Sequence, residues 1–381
     1  LQAAMARGGD FADLFFQHQT STFLMLEDGD VNRAYTSVDL GVGVRVVTGD
    51  QTGFAFTEEL TAESLEKAAQ TAASIARGNA AQAPEAFKVA GTNNYYPIET
   101  AWEDVGVDRK IPFLERINSR IFAKDDRVKK ANIRFSDATG RILVVNSDGF
   151  AVEDYQPQSQ IRAGVVAEQD GRRERNGFNL AGRRDIGSYT DEAVQGIVDE
   201  SVERTVRLFE AITPPAGEMA VVLAGGDSGI LLHEAIGHGM EADFNRKGIS
   251  IYADMIDRQV ANKNVTIVDN AMNPFKRGSI NVDDEGTPGE RTVLVENGVL
   301  RTYLHDRISA KHYGVPLTGS GRRQSFRHTV MPRMRNTYME NGPHDPQEII
   351  KSVEHGVYCQ DFTNGQVEIG AGDFSFYVSS G

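Results

Sequence analysis

Two histidines and a glutamate near the middle of the chain have residue types suited to a metal site. The stretch GGDSGILLHEAIGHGMEAD, residues 225–243, carries His233, Glu234 and His238. Imidazole nitrogens are common zinc ligands, and an adjacent glutamate is suited to act as a general base that activates water. The familiar zinc-peptidase helix spaces its histidines four positions apart. Here the separation is five, so a metal site requires a distorted helix.

The spacing of the histidines predicts a π-turn. Side chains five positions apart diverge by roughly 140° on a regular α-helix, and a π-turn reduces this to roughly 50°. Gly237 and Gly239 flank His238 and allow such a distortion at low energetic cost. We therefore predict converging imidazoles with Glu234 beside them. The alternative is two independently hydrogen-bonded histidines, with Glu234 in an ion pair.

A catalytic zinc site needs a third protein ligand, and the residues alone leave its identity open. Thiolate is a good zinc ligand, which makes Cys359 the first choice, although a lone cysteine is more often a small buried apolar residue. The other candidates are Glu241, Asp243, the acidic loop 283–286, His305 and His328.

A basic stretch follows in residues 321–335, within an otherwise acidic chain. Arg323, Arg327 and Arg333 are candidate substrate-binding residues, because guanidinium groups form charge-assisted hydrogen bonds to a peptide carboxylate or to a developing oxyanion. The alternative is an ordinary solvated surface. The acidic loop 283–286 is interpreted either as a lid over a cleft or as an exposed loop.

The elements around these residues predict an α+β fold. Short alternating runs with turns at Asp28–Gly29 and Gly49–Asp50 predict an antiparallel meander over residues 11–58. Apolar stripes predict helices that begin after Thr61, at about Val107 and after Thr190.

The segment TPPAGEM, residues 213–219, marks the main domain boundary. We predict antiparallel sheet-plus-helix units at residues 1–95 and 105–212. A strand-rich domain, residues 217–381, then carries one buried metal-binding helix.

Composition narrows the functional classes. The 381 residues carry a formal net charge of −14, which disfavours binding to nucleic acid or to an anionic membrane. Cys359 is the single cysteine, so no intrachain disulfide forms and a reducing compartment is expected. No apolar run is long enough to span a membrane. The chain starts without methionine and stops within a strand-like pattern, so we expect a fragment.

The motif LLHEAIGHGMEAD, together with GVGVRVVTGDQTGFAFT, DDEGTPGERTVLVENGVL and NGQVEIGAGDFSF, resembles the TldD/PmbA family, and specifically its TldD branch. The resemblance implies a cytoplasmic zinc metallopeptidase that hydrolyses unfolded peptides, in peptide-antibiotic maturation and antitoxin degradation. It also implies one zinc per chain and a heterodimer with a TldE/PmbA-like subunit, or a homodimer. His233 and His238 are then zinc ligands, and Glu234 is the general base.

The resemblance places the third zinc ligand on a cysteine in a glycine-rich segment beyond Gly381, and Cys359 is therefore not counted as a ligand. A second hypothesis is a non-catalytic regulator of DNA gyrase or a related complex, which acts through a protein partner. A third is a zinc hydrolase acting on a non-peptide amide.

Overall fold

A seven-stranded sheet forms the centre of the first half of the chain in the computed structural model, which describes residues 1–76 and 83–381. Its strands run in the order β3-β2-β1-β5-β6-β4, and β7 pairs with β6. Their bounds are β1 Phe11–Glu27, β2 Asp30–Thr48, β3 Gln51–Thr57, β4 Lys88–Val89, β5 Val128–Asn146, β6 Phe150–Gln169 and β7 Arg172–Gly182.

The predicted meander of β1, β2 and β3 is confirmed, and its first turn has positive φ at Asp28 (52°) and Gly29 (100°). Pairing of β1 with β5 joins this meander to the strands of the middle unit. The two predicted N-terminal units therefore share one sheet. Strand β5 continues through Gly140 and strand β6 continues through Pro157, both without a turn.

The two faces of the sheet have different covers. Side chains alternate between the faces of a strand, so Ile133 and Phe135 of β5 lie on one face, and Ile142 and Val144 lie on the other. The first pair packs in the cluster that includes helical side chains, and the second packs with Phe326 of the C-terminal region. The helices on the first face are α1 Gln2–Met5, α2 Ala62–Ala73, α3 Val107–Lys124 and α4 Asp191–Val206.

The C-terminal region is rich in strands, as predicted, and these form small sheets of two to four strands. Their bounds are β8 Ala220–Leu223, β9 Ile267–Asn270, β10 Arg291–Glu296, β11 Val299–Leu300, β12 Gly321–Arg322, β13 Met331–Pro332, β14 Thr337–Met339, β15 Gly356–Cys359, β16 Asp361–Glu368 and β17 Asp373–Ser380. The short helices are α5 Gly229–Leu232, α6 Ala242–Arg246, α7 Arg307–Tyr313 and α8 Pro346–Lys351. The α+β fold class is thus confirmed.

The acidic loop 283–286 is neither a lid nor exposed, because Asp283, Asp284 and Glu285 are all buried. Glu285 Oε1 lies 2.6 Å from Arg45 Nη2 of β2, and Arg45 also pairs with Asp13 of β1. The loop therefore joins the C-terminal region to the central sheet.

None of the helices in residues 1–76 and 83–381 is both long and apolar enough to cross a membrane.

Candidate metal centre

The predicted π-turn is present and begins at the first histidine. Helix α5 ends at Leu232, a π-helical turn spans His233–Gly237, and a 3₁₀ turn spans His238–Met240. The two imidazole centroids are 4.8 Å apart. One ligand atom from each of His233, Glu234 and His238 lies within 4.8 Å of the other two. The two histidines and the glutamate therefore form one compact donor set.

The role of Gly237 and Gly239 differs from the predicted one, which was to let the backbone distort at low cost. Gly237 has ordinary helical dihedrals, φ −58° and ψ −52°. A Cβ at Gly237 would lie 1.9 Å from Met334 Sδ, and one at Gly239 would lie 2.7 Å from the Tyr252 ring. The glycines thus permit close packing of these side chains against the turn.

The start of the histidine helix is less buried than its apolar sequence predicts. Ile230 is 37% exposed, and His233, Glu234 and His238 are half-buried. One side of α5 faces cavities rather than packed side chains, which explains the difference. These cavities give a ligand access to the donor set.

Glu241 orients the second histidine. His238 Nδ1 lies 3.1 Å from Glu241 Oε2, and Arg333 Nη1 donates to the same oxygen at 3.0 Å. The Glu241 side chain is fully buried. A carboxylate on one imidazole nitrogen fixes the ring and leaves the other nitrogen, Nε2, for a metal. The three-residue spacing from His238 to Glu241 was the sequence signal for this contact.

The pKa shifts reflect these surroundings. Burial lowers the pKa of His233, and the neighbouring His238 lowers it further. The hydrogen bond to Glu241 raises the pKa of His238, while burial raises the pKa of Glu241. A metal ligand must be unprotonated, so burial favours the ligand form of His233.

Two cavities adjoin the histidine turn. His233 lines one of about 540 Å³, beside Lys276 and Tyr338. Glu234 lines another of about 740 Å³, which residues of strands β5, β6 and β7 of the central sheet also line. Within the described part of the chain, the Glu234 carboxylate forms neither a side-chain hydrogen bond nor an ion pair. Its carboxylate is therefore free to contact a substrate or a water molecule.

The structure separates the three arginines predicted to bind substrate. Arg333 lies beside the donor set through Glu241. The Arg323 side chain is fully buried and pairs with Asp13 at 2.6 Å, so it cannot contact a substrate in this conformation. Arg327 pairs with Asp39 and Glu58, each at 2.7 Å, and ties the C-terminal region to the sheet.

The candidates for a third ligand are dispersed. Cys359 is buried in β15, which pairs with β8. Among the described residues, one cluster of histidine, cysteine or acidic side chains is close enough to hold a metal ion. It consists of His233, Glu234 and His238. Glu241 contacts the Nδ1 atom of His238, and Glu285 of the acidic loop contacts Arg45.

Comparisons with known proteins show the family of this chain. Three family profiles match the chain: "PmbA/TldA metallopeptidase domain 1" at residues 12–76, the "central domain" at 101–209 and the "C-terminal domain" at 216–381. The "Metalloprotease TldD homolog" of Haemophilus influenzae is 37% identical over 98% of this chain and 79% of its own length. The "Zinc metalloprotease TldD homolog" of Saccharolobus solfataricus is 26% identical over 100% and 84%.

A solved structure shares the fold. TldE from Thermococcus kodakarensis superposes with a TM-score of 0.73 at 17% identity, over 97% of this chain and 88% of that one. The fold, the converging donor set and these relatives define a metallopeptidase, a hydrolase of peptide bonds. More narrowly, the chain belongs to the PmbA/TldD family, as a TldD-type metalloprotease.

Proposed function

We propose that this chain is the catalytic subunit of a zinc-dependent peptidase, with one zinc per chain held by His233 and His238. The observation that carries the proposal is the π-turn, which brings both imidazoles and Glu234 within 4.8 Å of one another. Two imidazoles beside a carboxylate are a donor set that suits zinc. When bound, zinc supplies Lewis-acid chemistry, which acidifies water and polarises a carbonyl oxygen.

Glu234 is the general base in this proposal. Its half-buried carboxylate faces the 740 Å³ cavity, where a Glu234 oxygen takes a proton from the attacking water. The same oxygen then returns the proton to the leaving amine. Glu241 holds the His238 ring, and Arg333 balances the buried charge of Glu241.

The substrates in this proposal are unfolded peptides, in peptide-antibiotic maturation or antitoxin degradation, and the site of action is the cytoplasm. A cavity of about 740 Å³ accommodates an extended segment better than a folded protein. The proposed partner is a TldE/PmbA-like subunit in a heterodimer, with a homodimer as the other arrangement. The shared fold of the Thermococcus kodakarensis TldE supports this pairing of like-shaped subunits.

Elemental analysis and hydrolysis of a disordered peptide test the proposal together. We expect one zinc per chain, hydrolysis that a chelator abolishes and that added zinc restores, and loss of stoichiometric zinc in His233→Ala and His238→Ala. His355→Ala is the matched control, because this exposed histidine lies outside the donor set.

Two results would contradict the proposal. One is full hydrolysis by both site variants without zinc. The other is absence of hydrolysis, with and without a TldE-like subunit, while a protein partner binds equally well to the variants. That second result would favour the non-catalytic regulator, and cleavage restricted to non-peptide amides would favour the third hypothesis.

Glu241→Gln is expected to weaken zinc binding by about 10–100-fold, the usual effect of losing a carboxylate behind a histidine ligand. Glutamine keeps the size of the side chain but removes the charge that His238 and Arg333 contact. Competition against a chromogenic chelator measures the change in affinity.

Glu290→Gln serves as the control for Glu241→Gln, because Glu290 is exposed and contacts neither histidine. Wild-type zinc affinity in Glu241→Gln would exclude an orienting role. Equal loss of folded protein and zinc would instead show that Glu241 is purely structural, so thermal unfolding without metal is measured alongside.

A further inference from the structure

We propose that the cavity beside Glu234 binds a carboxylate group of the peptide through Arg134, Arg162 and Arg175 of the central sheet. This inference rests on the proposed function, because it names the substrate chemistry of the same cleft. The cavity of about 740 Å³ has strands β5, β6 and β7 on one wall. Ile230 and Glu234 of the histidine segment also line this cavity.

The three arginines lie on one face of the sheet. Arg134 of β5 is directly opposite Arg162 of β6, and Arg175 of β7 is opposite Val166 of β6. Positions 162 and 166 of β6 point to the same side, because side chains alternate along a strand. This face is opposite the one on which helices α3 and α4 pack.

The charge of these arginines is not balanced by the protein. Arg134, Arg162 and Arg175 are exposed, and within the described residues none of them forms an ion pair. Arg204 lines the same cavity but pairs with Glu200, Asp227 and Asp361.

The arrangement costs the sheet stability and therefore points to a ligand. Like charges directly opposite each other on neighbouring strands are unfavourable, and Arg134 and Arg162 are such a pair. In a chain of net charge −14, intramolecular carboxylates are abundant, yet none neutralises this row in the described structure. Guanidinium groups bind carboxylates through two parallel hydrogen bonds. A peptide carboxylate fits this wall best.

Two carboxylates of a peptide have this chemistry, an acidic side chain and the C-terminus. Both would place a peptide in the cavity that Glu234 also lines. Three fluorescent peptides of equal length distinguish them: a neutral amidated peptide, the same peptide with two glutamates, and the neutral peptide with a free C-terminus.

Binding is measured by fluorescence anisotropy on zinc-loaded Glu234→Gln protein, so that no peptide is consumed. We expect at least one carboxylate peptide to bind about tenfold tighter than the neutral peptide, and added salt to reduce the difference. The triple variant Arg134→Gln/Arg162→Gln/Arg175→Gln is expected to lose this preference. The peptide that gains affinity identifies the carboxylate.

The matched control is Arg7→Gln/Arg109→Gln/Arg116→Gln, which removes the same charge from exposed positions outside the cavity. The preference should persist there. Equal binding of all three peptides, or a preference that survives in the cavity variant, would overturn the inference. So would a single-stranded oligonucleotide that binds the row tighter than either carboxylate peptide. Failure of the wild-type chain to hydrolyse any peptide, both alone and with a TldE-like subunit, would count against the proposed function, while the anisotropy result still decides this inference.

Discussion

Replacing Glu234 by glutamine is expected to lower kcat for peptide hydrolysis by about 10²–10⁴-fold, the usual contribution of a general base. Glutamine keeps the shape of the side chain but cannot accept a proton from water. Zinc content should stay at the wild-type level, because His233 and His238 remain. Steady-state kinetics on a disordered peptide, with elemental analysis of the same samples, measure both quantities.

This variant also separates two roles that the geometry allows for Glu234. Its carboxylate lies within 4.8 Å of the ligand nitrogens, so it is close enough either to act on water or to bind the metal. Loss of rate with retained zinc identifies a base, whereas loss of both identifies a ligand. A wild-type kcat would exclude both roles. Glu218→Gln is the control, since Glu218 is exposed and precedes β8 outside the site.

Local patterns in the sequence were sufficient to predict the three longest helices, α2, α3 and α4. The apolar stripe beginning at Val107 predicted a helix, and α3 spans Val107–Lys124 with Leu114, Ile117 and Ile121 buried. Thr190 was predicted to open the third helix, and its side chain accepts a hydrogen bond from Ala193 N. These features depend on residues within one or two turns, so periodicity and capping residues identify them.

The π-turn was also a local prediction, since only histidine spacing was needed to require it. The reason for its glycines was not local. Met334 approaches Gly237 from a distant part of the chain, and Tyr252 approaches Gly239 from the loop after α6, so both contacts depend on the folded C-terminal region. The sequence therefore predicted the turn correctly, but it attributed the role of the two glycines to backbone freedom rather than to close packing.

Long-range ionic contacts were beyond sequence reasoning. The acidic loop 283–286 looks exposed when its charges are counted alone, but Glu285 meets Arg45 across 240 residues of chain. The sequence likewise did not show that Arg323 pairs with Asp13, because Asp13 is near the other end of the chain. Arg323 was therefore predicted to bind substrate. The arginines of the cavity did leave a signal, as NIRFS and QIRAG place Arg134 and Arg162 at outward positions of alternating strands.

Arg45→Met is expected to reduce the free energy of unfolding by about 3–5 kcal/mol, the cost of leaving buried carboxylates without their cation. The Arg45 side chain is 1% exposed and contacts both Asp13 and Glu285, which are fully buried. Methionine fills a similar volume, so the loss comes from charge rather than from a cavity. Urea titration at neutral pH measures it.

Arg33→Met is the matched control, because Arg33 lies on the same strand, β2, and is exposed; we expect a change within about 0.5 kcal/mol. Adding Glu285→Gln to Arg45→Met should restore part of the stability, since it neutralises the carboxylate that Arg45→Met leaves unpaired. Arg323→Met should be destabilised in the same way, through Asp13. Equal stability of Arg45→Met and Arg33→Met would mean that these ion pairs do not hold the C-terminal region to the sheet. An Arg323→Met protein with unchanged stability and a raised KM would return Arg323 to the substrate site.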